Sequence, residues 1–194
     1  MSGGTELGFI KRNYGNFYGV TVSDFDLSSS TRDGIVKAGA FAAYNAGILV
    51  DCKVENGRIS VIALTDSAYV GAYAGVNSGI ICRNEENASL VKSDHTTFTA
   101  TVGADVELIG QSKFGKNTVI GAVIGLNDGG YVKWVDAKAS VRPVGTNFFK
   151  GGICGQNVQP TDEVGTNIDN IIDCFYSEQE TMCDETNNLW GTAY

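Results

Sequence analysis

With 194 residues the chain is long enough to bury one sizeable core, and its net charge of −8 is diffuse, with no like-charged block longer than the Glu85-Glu86 pair. Such a surface repels phosphate backbones, which argues against a nucleic-acid partner, and no apolar run approaches the roughly 18 residues needed for membrane insertion. A hydrophobic content of 43% with 19% charged residues excludes intrinsic disorder, while 25 Gly with only 2 Pro suit tight turns between short strands and exclude a collagen-like chain.

In chain order, the first strongly patterned segment is GAFAAYN at 39–45, followed by the turn Ala46-Gly47, an apolar stretch Ile48-Leu-Val50, Asp51-Cys52, and a bend at Asn56-Gly57 leading into Arg58-Ile-Ser-Val-Ile62. The same order returns as GAYAGVN at 71–77, with Ser78-Gly79 and Ile80-Ile81 behind it. Residues 88–116 then read as an insertion or an extra coil, because Thr97–Val102 and Val106–Ile109 alternate and so should pair as strands. GAVIGLN at 121–127 follows, with Asp128-Gly129 and Tyr131-Val132, and then GGICGQN at 151–157. Residues 178–194 are left as a C-terminal cap or tail, and 1–194 as a single domain.

Aligned on their Asn, the four heptapeptides form columns of one chemistry. The first is Gly39, Gly71, Gly121 and Gly151; the third is large and apolar, with Phe41, Tyr73, Val123 and Ile153. The fifth column is small, and the last is Asn45, Asn77, Asn127 and Asn157. Small residues flanking a large one at period two are a strand pattern, and each copy therefore reads as a strand running into a turn, with about three short strands per repeat. The leading glycines are 32, 50 and 30 residues apart. A repeat of about 30 residues is a solenoid period, and a coil without any 10–15-residue amphipathic helix is a coil of strands alone. The expected fold is all-β, a parallel β-helix (β-solenoid) of five to six coils. In it the large column fills the tube, and the asparagines form a ladder that passes amide hydrogen bonds from coil to coil.

The pattern G-[AG]-Φ-x-[GA]-x-N, followed by a small residue, Gly, Ile-rich residues and an Asx-Cys such as Asp51-Cys52 or Asp173-Cys174, resembles the GLUG repeat of bacterial surface proteins. That repeat also occurs in non-catalytic regions of immunoglobulin A-cleaving metallopeptidases. Phe17–Val22 and Cys174–Ser177 are similar to segments flanking such coils, so the resemblance spans roughly 15–180. It departs at Ala43, at Lys133-Trp134 where Asx-Cys is expected, and at Val158–Asn170, which interrupts the fourth copy. The resemblance implies an adhesin-like, extracellular or cell-surface setting. MSGGTELGFIKRN itself lacks the basic-then-apolar order of an export signal, so the alternatives are a signal outside this sequence or a cytoplasmic chain.

Residues suited to chemistry are sparse. His95 is the one histidine, and with Ser93 and Asp94 contiguous to it in an extended segment, the three side chains do not converge as a triad must. The five cysteines form no CxxC; Cys52, Cys82, Cys154 and Cys174 read as small buried hydrophobes, and Cys174 with Cys183 is the one local disulfide option. The acids Asp24, Asp26, Asp51, Asp66, Asp136, Asp162, Glu163, Asp169 and Asp173 read as a solvated surface, with Asp24 and Asp26 on one strand face. Tyr14, Phe17, Tyr18, Tyr131, Trp134, Trp190 and Tyr194 suit end caps or a stacking surface. The expectation is a non-enzymatic binding or spacer module for a protein or glycan ligand, with no catalytic residues, cofactor or metal. The alternatives are a β-helix polysaccharide lyase or glycosidase working through paired carboxylates, or a trimeric phage receptor-binding part.

Overall fold

Each heptapeptide straddles a corner. Strand Ala68–Gly71 ends on its first Gly, Ala72 and Tyr73 turn, and strand Ala74–Asn77 begins directly afterwards. In the computed structural model, which describes residues 4–84, 99–114, 116–181 and 192–193, this corner recurs in every coil. The second coil shows the full plan: Val36–Ala38, Ala42–Asn45, Ile48–Val50, Lys53–Val54 and Gly57–Ala63. Each of these strands pairs in parallel with its counterparts one coil before and one coil after, giving five parallel sheets, here sheets 1 to 5 in that order. The fold is a parallel β-helix of about five coils, each about 30 residues. A coil has five strands and not three, because two- and three-residue strands such as Lys53–Val54 are too short to display a period.

The tube is filled by the large column. Phe41, Tyr73, Val123 and Ile153 are all buried, and the Phe41 and Tyr73 rings stack with centroids 5.4 Å apart and planes 21° from parallel. Tyr73 keeps its polar end inside by donating its hydroxyl to the carbonyl of Cys52, with the Thr101 carbonyl 3.3 Å away. The small columns are required by close approach of backbones. A Cβ on Gly71 would lie 2.5 Å from Cα of Ile124 in the next coil, and one on Gly75 would lie 2.5 Å from the amide N of Ala38 in the coil before. Ala43 takes the place of that second Gly above a shorter corner: Leu7 pairs with Ala38 but Ile10 with Ala42, so the first coil lacks one residue there.

That shorter corner, Gly8-Phe-Ile-Lys-Arg-Asn13, is a fifth copy of the heptapeptide with one residue deleted. The long interval before the third coil closes is also explained by pairing. Ala100–Val102 and Val106–Ser112 are the strands of that coil in sheets 4 and 5, in register with Lys53–Val54 and Gly57–Ala63, so the added length lies between Cys82 and Ala100. His95, Trp190, Tyr194 and Cys183 lie outside the described residues. Near the C-terminus, Phe175–Tyr176 pairs with Thr192–Ala193, and a single helical turn spans Glu178–Thr181.

Interior truncations should therefore be costly. Phe41→Ala and Tyr73→Ala are each expected to lower stability by about 3–5 kcal/mol, read as a shift of the urea midpoint, while His95→Ala should leave it within about 0.5 kcal/mol. Equal losses at Phe41 and His95 would contradict the interior assignment.

Candidate functional site

Asn45, Asn77, Asn127 and Asn157 stack at the corner between sheets 2 and 3, where parallel register places each over the last. The amide of each donates to Oδ1 of the next, at 2.7 Å for Asn45 to Asn77, 2.8 Å for Asn77 to Asn127 and 2.8 Å for Asn127 to Asn157. Two further asparagines extend the column. Asn13 donates to Asn45 at 2.8 Å, and Asn157 donates to Asn170 at 2.8 Å. The same amides also bond the carbonyls of Gly47, Gly79 and Gly130, which closes each turn. Gly47 and Gly79 do not have positive φ; a Cβ at either would strike the carbonyl of the glycine one coil earlier, Gly15 or Gly47. This column is structural, and it sets the register of the outer faces.

Apolar side chains face outward on sheet 1 (Tyr69, Val119, Phe149) and on sheet 2 (Tyr44, Val76, Leu126), and on sheet 3 they line a groove. The inward residues of sheet 3, Leu49, Ile81 and Val132, are buried, as alternation requires, but the outward positions carry Tyr18, Ile48, Val50, Ile80, Cys82 and Tyr131 where polar side chains are expected. They line this groove, of about 610 Å³, together with Asp51, the buried Arg83, Asn84 and Lys133. Ile48, Ile80 and Tyr131 lie in one register column, and Tyr18, Val50, Cys82 and Lys133 in the next. The Lys133 ammonium sits 5.8 Å from the Tyr131 ring centroid. Cys82 is half-buried in this groove, which corrects the expectation of a fully buried thiol. Tyr18, Tyr131 and Trp134 likewise flank this face and do not plug an end of the tube.

The corner from sheet 3 to sheet 4 borders the groove and explains the Asx-Cys pair. Its residue is left-handed in four coils: Gly19 (φ 63°), Asp51 (52°), Trp134 (55°) and Asp173 (48°). Asx tolerates that conformation, and the following Cys then turns inward, with Cys52 and Cys174 thiols donating to the carbonyls of Val50 and Ile172. Trp134 holds the conformation at a strain of about 1–3 kcal/mol, beside Asp173 Oδ2 at 3.3 Å from its Nε1 and under the Arg83 guanidinium at 6.0 Å. Asp51 Oδ1 accepts from the backbone N–H of Asn84 at 2.9 Å and from the Thr99 hydroxyl, tying together the two described residues that border 85–98.

A second, shallower depression gathers acids at the turn into sheet 5. Asp24 and Asp26 share it with Asp105 and Glu107, two coils further on and about 10 Å away by strand spacing. Glu107 is held by Arg58 at 3.2 Å and Arg142 at 3.3 Å, and Asp24 accepts from Asn56 and from Ser23 at 3.0 Å. The other acids stand apart. Asp136 is buried 3.9 Å from Lys138, and Asp162 accepts the Thr166 and Val164 amides at 2.7 and 3.0 Å, the former chiefly lowering its pKa. Among the described residues no three His, Cys, Asp or Glu side chains are grouped to hold a metal ion. Compared with protein-family models, curated proteins and solved structures, the chain matches none.

The buried thiols have one measurable consequence. Burial pushes Cys174 from 9.0 up to about 12 and raises Cys154 further, so the folded state keeps both protonated while the unfolded chain ionises. Their contribution is intact below pH 9 and is lost as pH rises from 9 towards 12, with a slope of about 1.4 kcal/mol per pH unit for each thiol. Urea midpoints at pH 8, 9.5 and 10.5 should fall in that order, and the fall should be smaller in a Cys154→Ala, Cys174→Ala chain.

Proposed function

We propose that the chain is a non-enzymatic binding and spacer module whose ligand, an elongated glycan, lies along the outer face of sheet 3. The observation that carries this reading is the ladder of Ile48, Ile80 and Tyr131 beside Tyr18 and Val50, apolar and aromatic side chains on an outer face. The outer face of sheet 5 is more mixed, with Ile62 and Ile109 set among Asp26, Ser28, Ser30, Ser60, Arg58 and Glu107. Sugar rings present flat apolar faces edged with hydroxyls, and tyrosines with an apolar floor and polar groups in the same groove match both. Register repeats these contacts every ~4.8 Å along the tube axis, a geometry suited to an extended polymer. The resemblance of the heptapeptides to GLUG repeats supports placing the module in a bacterial surface or secreted adhesin-like protein.

A second reading, a β-helix enzyme acting on carbohydrate, is favoured by one feature: Asp24, Asp26, Asp105 and Glu107 line a single depression. Glycoside hydrolysis works through a pair of facing carboxylates, and this depression brings four acids together.

A glycan array followed by calorimetry tests the first reading. Tyr131→Ala and Ile80→Lys should weaken binding at least about tenfold, whereas Ser60→Lys on the outer face of sheet 5 should not. An array without a bound glycan, or full binding by the Ile80→Lys chain, would refute it. Reducing-end release from the same glycans, lost in Asp26→Asn, would establish the enzymatic reading instead.

A further inference from the structure

The two ends of the tube differ. In the last coil Ile153, Cys154, Cys174 and Tyr176 are all at most 1% exposed. In the first coil the inward-facing side chains Leu7, Phe17, Val20, Val22, Phe25 and Leu27 pack on the core yet remain only partly buried, as Ile171 and Ala193 do near the other end, and Phe9 at the first coil's corner is 74% exposed. All five sheets end on this coil, at strands Thr5–Leu7, Ile10–Asn13, Asn16–Tyr18, Thr21–Val22 and Phe25–Thr31, as they end at the other side on Phe148–Gly151, Cys154–Val158, Ile171–Ile172, Thr192–Ala193 and Ser140–Val144. Among the described residues, five parallel strand edges and an apolar interior thus face the same way.

The asparagine column has the same polarity. Every amide in it donates towards the C-terminal coils, from Asn13 through Asn157. It closes at Asn170, whose amide turns back to the carbonyl of Gly130 at 2.8 Å. At the other end, Asn13 is 3% exposed, and its Oδ1 accepts the Gly15 amide at 2.9 Å. In each later coil the equivalent oxygen also takes the amide of the coil before.

We propose that the N-terminal end of the tube is a docking surface for one further coil of the same repeat chemistry, laid on in parallel with its asparagine amide donating to Asn13 Oδ1. This continues the interface that already joins every pair of coils, and it does not depend on the glycan reading. A second copy of the chain does not fit. Face to face, two first coils would run their strands antiparallel and set one Asn13 acceptor against the other; end to end, the ladder of the last coil is already closed at Asn170, which donates to Gly130.

The test is to place a copy of residues 35–66, one 32-residue turn of the tube, ahead of Gly4 in the full chain in place of residues 1–3. Amide exchange across residues 5–31 should slow about 100-fold or more and the melting temperature should rise, because a fraying end becomes an interior coil. Changing the asparagine of the added turn to Ala, or Leu27→Lys in the first coil, should reverse most of that protection. An added turn that exchanges like an unstructured peptide, or a fusion that fails to fold while the parent chain does, would overturn the proposal. So would a parent chain that sediments as a dimer with residues 5–31 already protected, since a second copy would then be the occupant.

Discussion

Everything in this fold depends on the fact that a side chain meets its own counterpart one strand spacing away, about 4.8 Å, in the coils above and below. A buried polar column survives that constraint only if the same group can donate and accept at once. A carboxylate column would stack like charges in a dry corner, whereas a primary amide satisfies itself by translation, which is why Asn occupies this corner in all five coils. Once the amides fix the register, the glycine columns follow, because backbones held at that separation leave no room for Cβ at the places where corners cross.

Columns of this kind announce themselves in a sequence, since identity must repeat where counterparts touch. Gly71, Tyr73 and Asn77 with their equivalents were legible for that reason, and with them the solenoid. What broke the frame was not. Gly8–Asn13 lost a residue, Asn170 follows Asn157 after an excursion of irregular length, and the two-residue strands are below any detectable period. The turn glycines were legible as turns but not for their physical role, because steric contact with another coil leaves no local mark.

Outer faces obey no such rule, and the candidate site lies on one. Ile48, Ile80 and Tyr131 were legible as one position following each turn, but nothing in a linear reading shows that this position faces outward or that Tyr18 of the first coil joins it. Asp105 and Glu107 were separated from Asp24 and Asp26 by an interval that only strand pairing could translate into proximity. The irregular lengths of chain are instructive here. One leaves at Asn84 and returns at Thr99, the other spans 159–170, and both depart from a corner bordering sheet 3. The longest of these length changes thus lie beside the face with the apolar floor, while smaller ones fall at other corners, such as the residue missing between Leu7 and Ile10.

The pairing scheme also has a mechanical side. Each strand bonds only to the coil before and the coil after, so the tube is a one-dimensional array in which cooperativity is passed from neighbour to neighbour. Folding can start at any adjacent pair of coils and propagate, each step closing a loop of one coil's length. Tension along the chain meets the coils in series. A molecule pulled from its first residue would surrender its turns one after another, as thread leaves a spool, and would lengthen under load while the remaining coils kept their shape.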